Sequence, residues 1–529
     1  MNRNARWRLG LALAFVVFGV VTLGAGAGLS ARHTTNAAAA ATLVDGTTDT
    51  VVNIDPAGNY DFGSGTVDYQ IFQHLLEAGP GSLTPHPVLA RKCGFKGNLR
   101  TFVCTLRRGV KFHNGKRMTS ADVVWSLKRV KKIHDPSGID TLLENMKSIR
   151  AKGKFKVIFR LKRAQATWPS ILTTGAGQIV PKGPYPFDKI RPNTSPQYGT
   201  GPYKLTKFQS GQQAVFTRWS GYWNKKQKAK TPNLIIRHYS SSATMKLALE
   251  QKTIDMAFQS FTPTELQALG RANGIVVHKG RAAVIRYLVL NMKIGATDKL
   301  AVRKAIAYLM PRGQIAGNRV YHNLVKPLYS MVPAGLPGHV DAFKTMYGSS
   351  PSVTKAKAAL RAANISTPVN LTVWYTPTHY GDASADEFAE IKRGLEQGNT
   401  FNVNLQSAEW ATYSKTLGTQ YGVFQLGWYP DYVDAENYLL PFYHSKSNFT
   451  DNGYKNSKMD ALLNKEQGTK SLAKRLAIVK QAQALAARDV PIVPYWQGQM
   501  IAVSRNNVKG IDKTLDPTFI MRFWLISKT

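Results

Sequence analysis

The chain has 529 residues, with 70 lysines and arginines against 31 acids and a formal net charge of +39. A chain this long can bury large cores and usually divides into two or three domains. A protein surface with this excess of positive charge attracts polyanions nonspecifically. The cations are nevertheless distributed along the whole chain, without an arginine-rich arm, which argues against a specific nucleic-acid reader.

The first 41 residues have the order of a secretory signal peptide. Arg3, Arg6 and Arg8 precede an apolar run over residues 9–23, and small residues fill positions 37–41. The run is shorter than the roughly 20 residues needed to span a bilayer. We therefore predict export and cleavage, with a retained N-terminal anchor as the alternative. The segment contains four arginines, no acid and no cysteine for lipid attachment, so its removal leaves +35 on a secreted protein. This charge is expected either to attract anionic cell-wall polymers or only to maintain solubility.

Two cysteines, Cys93 and Cys104, flank the turn-rich residues 94–98. In an exported chain, cysteines placed in this way favour a disulfide that closes a hairpin, with two free buried thiols as the alternative. The spacing is not that of a zinc site, and the chain has no second cysteine pair. We predict a disulfide and no metal site.

Strand-like and helix-like segments alternate along the chain. Residues 155–161 and 371–375 alternate apolar and polar side chains, as half-buried strands do. Residues 119–132 begin with a T-x-x-D capping pattern and carry an apolar stripe. Residues 299–310 and 471–488 are predicted as two further helices. The pattern is that of an α/β protein.

Four separated segments, taken together, point to a family. They are LRRGVKFHNGKRMTSADVVWSLKR at 106–129, YGTGPYKL at 198–205, GWYPDYVDAENYL at 427–439 and DVPIVPYWQGQMIAV at 489–503. In this order, they resemble the extracellular solute-binding proteins of family 5. Proteins of that family deliver peptides, nickel chelates, haem or oligosaccharides to ABC importers. The segment at 291–312 departs from the family pattern, with Ala296 and Thr297 in place of Pro-Phe.

The resemblance implies a two-lobed clamshell of the periplasmic-binding-protein type (type II-like) with an extra inserted subdomain. After the signal peptide at 1–41, lobe I is expected over 42–286, with the subdomain at about 65–192. Lobe II is expected over 287–497, and residues 498–529 would return to complete lobe I. The expected partners of this monomeric receptor are a small solute and the membrane subunits of an ABC permease.

The clearest candidate site follows the strand-like residues 423–426. In peptide-binding members of the family, the aspartate of a W-x-x-D segment pairs with the ligand's ammonium group, and the matching residue here is Asp431. Trp428 and Tyr429 would add aromatic walls. A carboxylate in a closed, water-poor cleft binds a cation strongly. The alternative is that Asp431 caps the following turn, with Asp434 and Asn437 in a local network.

A second candidate is the loop that contains Gly63, Ser64 and Gly65. In relatives, a similar loop offers main-chain groups to an extended peptide, as an added strand would. The partner for a peptide's carboxylate cannot be chosen from 70 cations; Arg286, near the expected hinge, has no better claim than several others.

Known catalytic and cofactor patterns do not occur in the sequence. It has no G-x-S-x-G elbow, no H-E-x-x-H and no Walker loop. We therefore expect a binding protein without a cofactor, with peptides as the favoured ligand. An oligosaccharide, nickel chelate or haem is the alternative within the binding class, since Trp374, Trp410, Trp428 and Trp496 would suit sugar stacking. A secreted hydrolase and a wall-binding structural protein are the alternatives outside that class.

Overall fold

A computed structural model describes residues 41–258, 261–381 and 383–529, which form one unit. The predicted signal peptide, apart from Ala41, lies outside the described residues. Within the described ranges, no helix is long and apolar enough to cross a membrane.

The strands run in chain order through the whole described region. They are β1 Thr42–Thr47, β2 Leu76–Glu77, β3 His86–Pro87, β4 Ala90–Phe95, β5 Thr101–Leu106, β6 Met146–Ala151, β7 Lys156–Leu161, β8 Tyr203–Gln209, β9 Gln213–Arg218, β10 Asn233–His238, β11 Met256–Phe258, β12 Ile275–Leu290, β13 Val325–Pro327, β14 Val369–Tyr375, β15 Phe401–Ser407, β16 Val423–Trp428, β17 Ile492–Arg505, β18 Val508–Lys509 and β19 Ser527–Lys528.

Helices are interspersed among these strands, as the sequence predicts for an α/β protein. They are α1 Phe62–Ile71, α2 Ser120–Ile133, α3 Trp168–Ile171, α4 Ser242–Glu250, α5 Pro263–Arg271, α6 Leu300–Leu309, α7 Arg312–Ala316, α8 Ala342–Tyr347, α9 Val353–Arg361, α10 Ser384–Leu395, α11 Trp410–Tyr413, α12 Leu440–Tyr443, α13 Ser457–Gln467 and α14 Leu472–Asp489. The three helices predicted from the sequence are confirmed as α2, α6 and α14, with ends that differ by one residue.

One large mixed sheet extends through the molecule in the order β15-β14-β16-β12-β17-β11-β1-β10-β9-β8, with β13 also paired to β17. The long antiparallel strands β12 and β17 form its middle. Their pairing is interrupted between Arg281 and Ile285, where the register shifts. We call the part built on β1 and β8–β11 the first lobe, and the part built on β14–β16 the second lobe.

The sequence of β12 explains why one strand serves both lobes. Its last nine residues, AAVIRYLVL at 282–290, are all buried, whereas exposed residues recur over 275–281. A nearly continuous apolar run is typical of a strand that is covered on both faces. The exception within that run is Arg286, a charged residue at the centre of the sheet.

The C-terminal segment packs onto the first lobe after β17. The fully buried Arg522 donates to the carbonyl of Ala78 at 2.7 Å and to the carboxylate of Asp516 at 3.0 Å. Thr231 donates to the carbonyl of Ile526 at 3.0 Å. These contacts join the C-terminal residues to the first lobe, while the boundaries of the return segment at 498–529 stay a prediction.

A separate four-stranded antiparallel sheet, in the order β4-β5-β7-β6, lies within the first lobe's sequence. Helix α2 packs against β6 and β7 and begins at the predicted capping box, in which Thr119 and Asp122 exchange hydrogen bonds. Cys93 and Cys104 face each other across β4 and β5 and form the predicted disulfide. We call residues 90–161, from β4 to β7, the inserted sheet.

Candidate ligand-binding site between the lobes

Strand β16 carries the predicted site residues out of the large sheet. It lies between β14 and β12, and its Gly427 is the pairing partner of Arg286. The residues that follow leave the end of a buried strand, which is where α/β folds present ligand-binding groups. Trp428 packs edge-on against Phe442, with ring centroids 5.0 Å apart. Its indole Nε1–H donates to Oδ1 of Asn437 at 3.0 Å.

Asn437 also holds Asp431 in place. Its amide Nδ2 donates to one Asp431 carboxylate oxygen at 2.8 Å, and its Oδ1 accepts from the Asp431 N–H at 2.9 Å. The other carboxylate oxygen accepts from the hydroxyl of Tyr60, which lies on the first lobe between β1 and α1. Burial raises the pKa of Asp431 to about 6, although the Asn437 bond acts to lower it. At pH 7 the carboxylate is therefore mainly ionised yet poorly hydrated, which makes it a strong partner for a cation.

The turn that follows has a different cap. The short 3-10 helix Ala435–Tyr438 begins after Asp434, whose carboxylate accepts from the Glu436 N–H at 3.0 Å. Asp434 also pairs with the guanidinium of Arg475. The cap of this turn is therefore Asp434, whereas Asp431 forms the local network with Asn437 that the alternative interpretation included and also accepts from Tyr60.

The second predicted site has a different local structure from the one expected. Gly63, Ser64 and Gly65 lie in the first turn of α1, so the prediction of a loop is wrong for these residues. The physical reason is the N-cap, because the Asp61 side chain accepts from the Ser64 N–H at 2.8 Å. Ser64 is fully buried, and its Oγ accepts from the N–H of Val52 at 2.9 Å. Ser64 therefore stabilises the fold, while the neighbouring Tyr60 reaches Asp431.

Tyr429 links the two lobes through aromatic contacts. Its ring lies 6.5 Å from Phe62 of α1 and 5.7 Å from Phe519 of the C-terminal segment, centroid to centroid. Phe62 and Phe519 are themselves 6.2 Å apart. Almost half of the Tyr429 surface remains exposed. The predicted aromatic wall is therefore also part of the contact between the lobes.

Arg286 is the charged side chain that sequence reasoning left out. It is buried, with its guanidinium 4.2 Å from the ring centroid of Tyr380 and 4.9 Å from that of Trp496. One nitrogen donates to the carbonyl of Ile285 at 3.2 Å, and Nε has no acceptor among the described residues. Within the same ranges it forms no ion pair. A buried cation without an anion is costly, so a ligand anion at this position would be strongly stabilised.

The nearby carboxylate of Glu387 is already saturated with donors. It accepts from Tyr321 at 2.7 Å, Gln425 at 3.0 Å, Tyr495 at 2.6 Å and Trp496 at 2.6 Å. This network fixes the Trp496 ring on which Arg286 stacks. Burial acts to lower the pKa of Arg286, and Glu387 is among the groups that raise it against that effect, although no ion pair joins the two in the described residues.

A second aromatic group borders Arg286. Its member His379 stacks on Trp410 with ring centroids 3.7 Å apart, and Tyr380 lies 5.7 Å from Trp410. Burial, and secondarily the charge of Arg286, lowers the pKa of His379 to about 4. His379 is therefore neutral at pH 7 and adds no second cation to this wall.

The structure brings Trp428, Tyr429 and Asp431 together with Arg286 and Tyr60. The contact of Tyr60 with Asp431 joins residues 371 positions apart, and no local sequence signal announces it. A signal for Arg286 does exist, since it is a charge inside a nine-residue buried run. In the described residues, no group of three or more histidine, cysteine, aspartate or glutamate side chains could hold a metal ion.

A match to a known protein family identifies the family of this chain. The family described as bacterial extracellular solute-binding proteins, family 5 Middle, matches residues 84–450, more than half of the chain. The chain belongs to this family. The predicted family and the two-lobed α/β fold are thereby confirmed.

Individual relatives are distant but extend over almost the whole chain. This family 5 protein is 22% identical over 485 residues to the dipeptide-binding protein of Escherichia coli (strain K12), covering 85% of this chain and 88% of the relative. It is 23% identical over 484 residues to an oligopeptide-binding protein of Bacillus subtilis (strain 168), covering 87% and 88%. The crystal structure of an ABC transporter substrate-binding protein from Listeria monocytogenes superposes with a TM-score of 0.82 at 18% identity, covering 93% and 99%.

Proposed function

We propose that this family 5 protein is an extracytoplasmic receptor of an ABC importer that encloses short peptides between its lobes, without catalysing a reaction. The observation that carries the proposal is the ionised, poorly hydrated Asp431 carboxylate at the junction of the lobes, held by Asn437 and facing Tyr60. Relatives named as dipeptide-binding and oligopeptide-binding proteins support the choice of ligand.

In the proposed complex, the peptide's ammonium group pairs with Asp431. The ligand would take the place of the Tyr60 hydroxyl or share the carboxylate with it, since one oxygen is already held by Asn437. Trp428 and Tyr429 would border the first side chain. Because the contacts come from both lobes, a bound ligand stabilises the closed arrangement over an open one.

We assign the peptide's carboxylate to Arg286. Its guanidinium is held by Tyr380 and Trp496, and its Nε has no acceptor among the described residues, so a carboxylate that reaches it gains a charge-assisted bond. Asp431 and Arg286 are also linked through the large sheet, because Gly427 pairs with Arg286 and lies four residues before Asp431. The Asp431 carboxylate and the Arg286 guanidinium can pair with the two charged ends of a peptide, whereas a neutral sugar offers no charge to either group.

The first experiment is to identify what the purified protein carries. Denaturation followed by mass spectrometry should release short peptides with free amino termini. An empty protein would be titrated calorimetrically with a tripeptide, its N-acetylated form and a neutral trisaccharide. The proposal expects the tripeptide to bind more tightly than the other two. A tetrapyrrole, a chelate or a sugar released from the protein, or tighter binding of the trisaccharide, would contradict it.

We also propose that the mature protein is monomeric and is retained at the cell surface by its charge. The motivation is the net positive charge of the chain and the absence of cysteine from residues 1–41. Moderate salt should then elute the protein from intact cells. Release by detergent alone would contradict retention by charge.

A further inference from the structure

Positive charge is concentrated in the inserted sheet. Residues 90–161 contain 19 lysines and arginines and four acids, a net charge of +15 within 72 of the 529 residues. The whole chain carries +39, so this segment holds more than a third of the charge in about a seventh of the length. Cations occur along the whole chain, but their excess over acids is concentrated in this one segment.

Five of the cations in and near this sheet line one surface cavity of about 570 Å³. Its lining consists of Arg91, Arg107, Arg108, Lys111 and Lys225, together with Gly109, Gly221 and Trp223. In the described part of the chain, none of these five cations forms an ion pair. We call this site the cationic cavity. Like charges held together without a counter-charge repel one another, and a bound anion relieves that repulsion.

One guanidinium of the cationic cavity is fixed in position. Arg107 donates through Nε to the carbonyl of Val88, and its guanidinium lies 5.1 Å from the ring centroid of Trp223. Trp223 is held in turn by the bond from its Nε1–H to Oε1 of Gln73, at 2.8 Å. The other four cations are exposed. Among them, the Arg108 guanidinium lies 5.3 Å from the ring centroid of Phe155, and Lys225 donates to the carbonyl of Ser220 at 3.2 Å. The cavity therefore combines one fixed guanidinium with four exposed charges.

A second cavity, of about 360 Å³, lies at the other end of β5. Arg100, Lys147 and Arg160 contribute to its lining, along with Asn98 and Thr101. The cationic cavity adjoins the end of β5 through Arg107, whereas this second cavity includes the first residue of β5. Cations therefore occur at both ends of one strand.

Part of the face between the two cavities is also basic. Lys92, Thr105 and Lys156 are direct cross-strand partners on β4, β5 and β7, and all three are exposed. Directly paired residues of an antiparallel sheet project from the same face. The next row, Gly94, Val103 and Ile158, is uncharged, but the exposed Arg150 pairs with Ile158 on β6. Cations therefore recur at intervals along the sheet, as binding of a linear chain of repeated anions requires.

We propose that the cationic cavity and the adjoining face bind a phosphodiester-linked polyol polymer of the cell wall. This identity of the polymer rests on the proposed location outside the cytoplasm. The planar guanidinium fork of arginine matches a phosphate group, and repeated phosphates would engage both ends of β5. Across the described residues of 90–161, no large hydrophobic side chain is exposed, so the face has nothing to insert into a bilayer.

The test compares two four-site variants of the full mature protein. One variant changes Arg91, Arg108, Lys111 and Lys225 of the cationic cavity to glutamine. The matched control changes Lys455, Lys458, Lys474 and Lys480, which are exposed lysines on α13, α14 and the segment before them, to glutamine. Both variants lose the same net charge, so only the position of the lost charges differs.

Binding to poly(glycerol phosphate) is measured by calorimetry at low salt. The cavity variant should lose about tenfold or more in affinity and the control less than about threefold, since counter-ion release depends on the charges in contact. Equal losses would overturn the site and leave only diffuse attraction. Peptide affinity is measured in parallel and should be unchanged in both variants. If the unmodified protein binds the polymer but no peptide, the receptor proposal is contradicted and the polymer site is not.

Two further arms examine the chemistry of the ligand. An Arg91→Lys, Arg108→Lys variant keeps the charge but loses the planar fork, and should bind the polymer about threefold more weakly than the unmodified protein. Full affinity in this variant would contradict recognition of phosphate by guanidinium. Vesicles of phosphatidylglycerol and phosphatidylcholine should bind more weakly than the polymer at equal phosphate concentration. Tighter binding to the vesicles would overturn the assignment to a wall polymer.

Discussion

The site between the lobes and the cationic cavity use charge in opposite ways. Between the lobes, one carboxylate, Asp431, and one guanidinium, Arg286, are largely removed from water and held by named partners. In the cationic cavity, five cations share one open site without a counter-charge in the described residues. A buried charge interacts strongly with one matching group of a ligand, and salt screens that interaction little. An exposed charge contributes little by itself, and salt screens its interaction with a ligand.

The largest effect should come from a buried charge pair that anchors the inserted sheet. Arg129 on α2 donates to Asp55 at 2.7 Å, and both side chains are almost fully buried. Asp55→Asn should lower the free energy of unfolding by about 3–5 kcal/mol, because the guanidinium stays buried without its anion. Urea denaturation measures this change.

The matched control for Asp55 is Asp512→Asn. The Asp512 side chain is 74% exposed, and among the described residues its ion-pair partner is His278. Its loss should change the free energy of unfolding by less than about 1 kcal/mol. If both variants lower the free energy of unfolding by the same amount, burial does not decide how much a charged pair stabilises this protein.

The next effect concerns the unpaired guanidinium between the lobes. Arg286→Gln should weaken binding of a peptide with a free carboxyl terminus by about 2–5 kcal/mol, because a buried charge pair is lost. Calorimetry with the same peptide amidated at its carboxyl terminus should show a much smaller difference. Arg281→Gln, an exposed position on the same strand, is the control. Equal losses for the acid and the amide would contradict the assignment of Arg286.

The pH dependence of peptide affinity should follow the Asp431 carboxylate. Its pKa is about 6 in the free site, and an ammonium group would lower that pKa by stabilising the ionised form. Affinity should therefore be complete above that pKa and fall about tenfold per pH unit below it. An N-acetylated peptide should show no such fall.

Histidine titration should not contribute to the pH dependence of peptide affinity near pH 6. Burial lowers the pKa of His113 to about 4, and partial burial together with the charge of Arg286 lowers the pKa of His379, so neither group is expected to titrate near pH 6. The Asp431→Asn variant is the control, since it should bind the free peptide weakly and with little pH dependence. A steep fall in that variant would assign the titration to another group.

The smallest effect should be that of salt on peptide binding. Between about 50 and 500 mM salt, peptide affinity should change less than about threefold, because buried pairs are screened little. Over the same range, polymer affinity should fall by about a hundredfold or more, as multiple exposed contacts require. Calorimetry of both ligands in one salt series measures the contrast. Parallel losses would show that both ligands bind through the same exposed charges.

Much of the fold was predictable because it depends on local patterns. The capping box of Thr119 and Asp122 marks the start of α2, and the two cysteines flank a turn between paired strands. The position of Asp431 just beyond β16 was also predictable, since it follows strand-like residues, whereas its role in binding a ligand stays a prediction. The lobe boundaries and the limits of the inserted subdomain stay predictions.

Other features depend on contacts that no local pattern encodes. Gly63–Gly65 were predicted to form a loop, but the Asp61 cap makes this segment the start of a helix. Tyr60 acquires its role only when the lobes bring it to Asp431, 371 residues away in sequence. Arg286 resembled any other cation until the structure placed it between Tyr380 and Trp496 without a partner carboxylate in the described residues.

The most direct test of the receptor account is a double-mutant cycle on Asp431 and the peptide's amino group. Calorimetry compares the unmodified protein and Asp431→Asn, each with a free and an N-acetylated tripeptide. Asp451→Asn, at an exposed aspartate, serves as the control. If Asp431 pairs with the ammonium group, the coupling free energy between the carboxylate and that group should be about 2 kcal/mol or more. A coupling near zero, with the free peptide still bound tightly by Asp431→Asn, would contradict it.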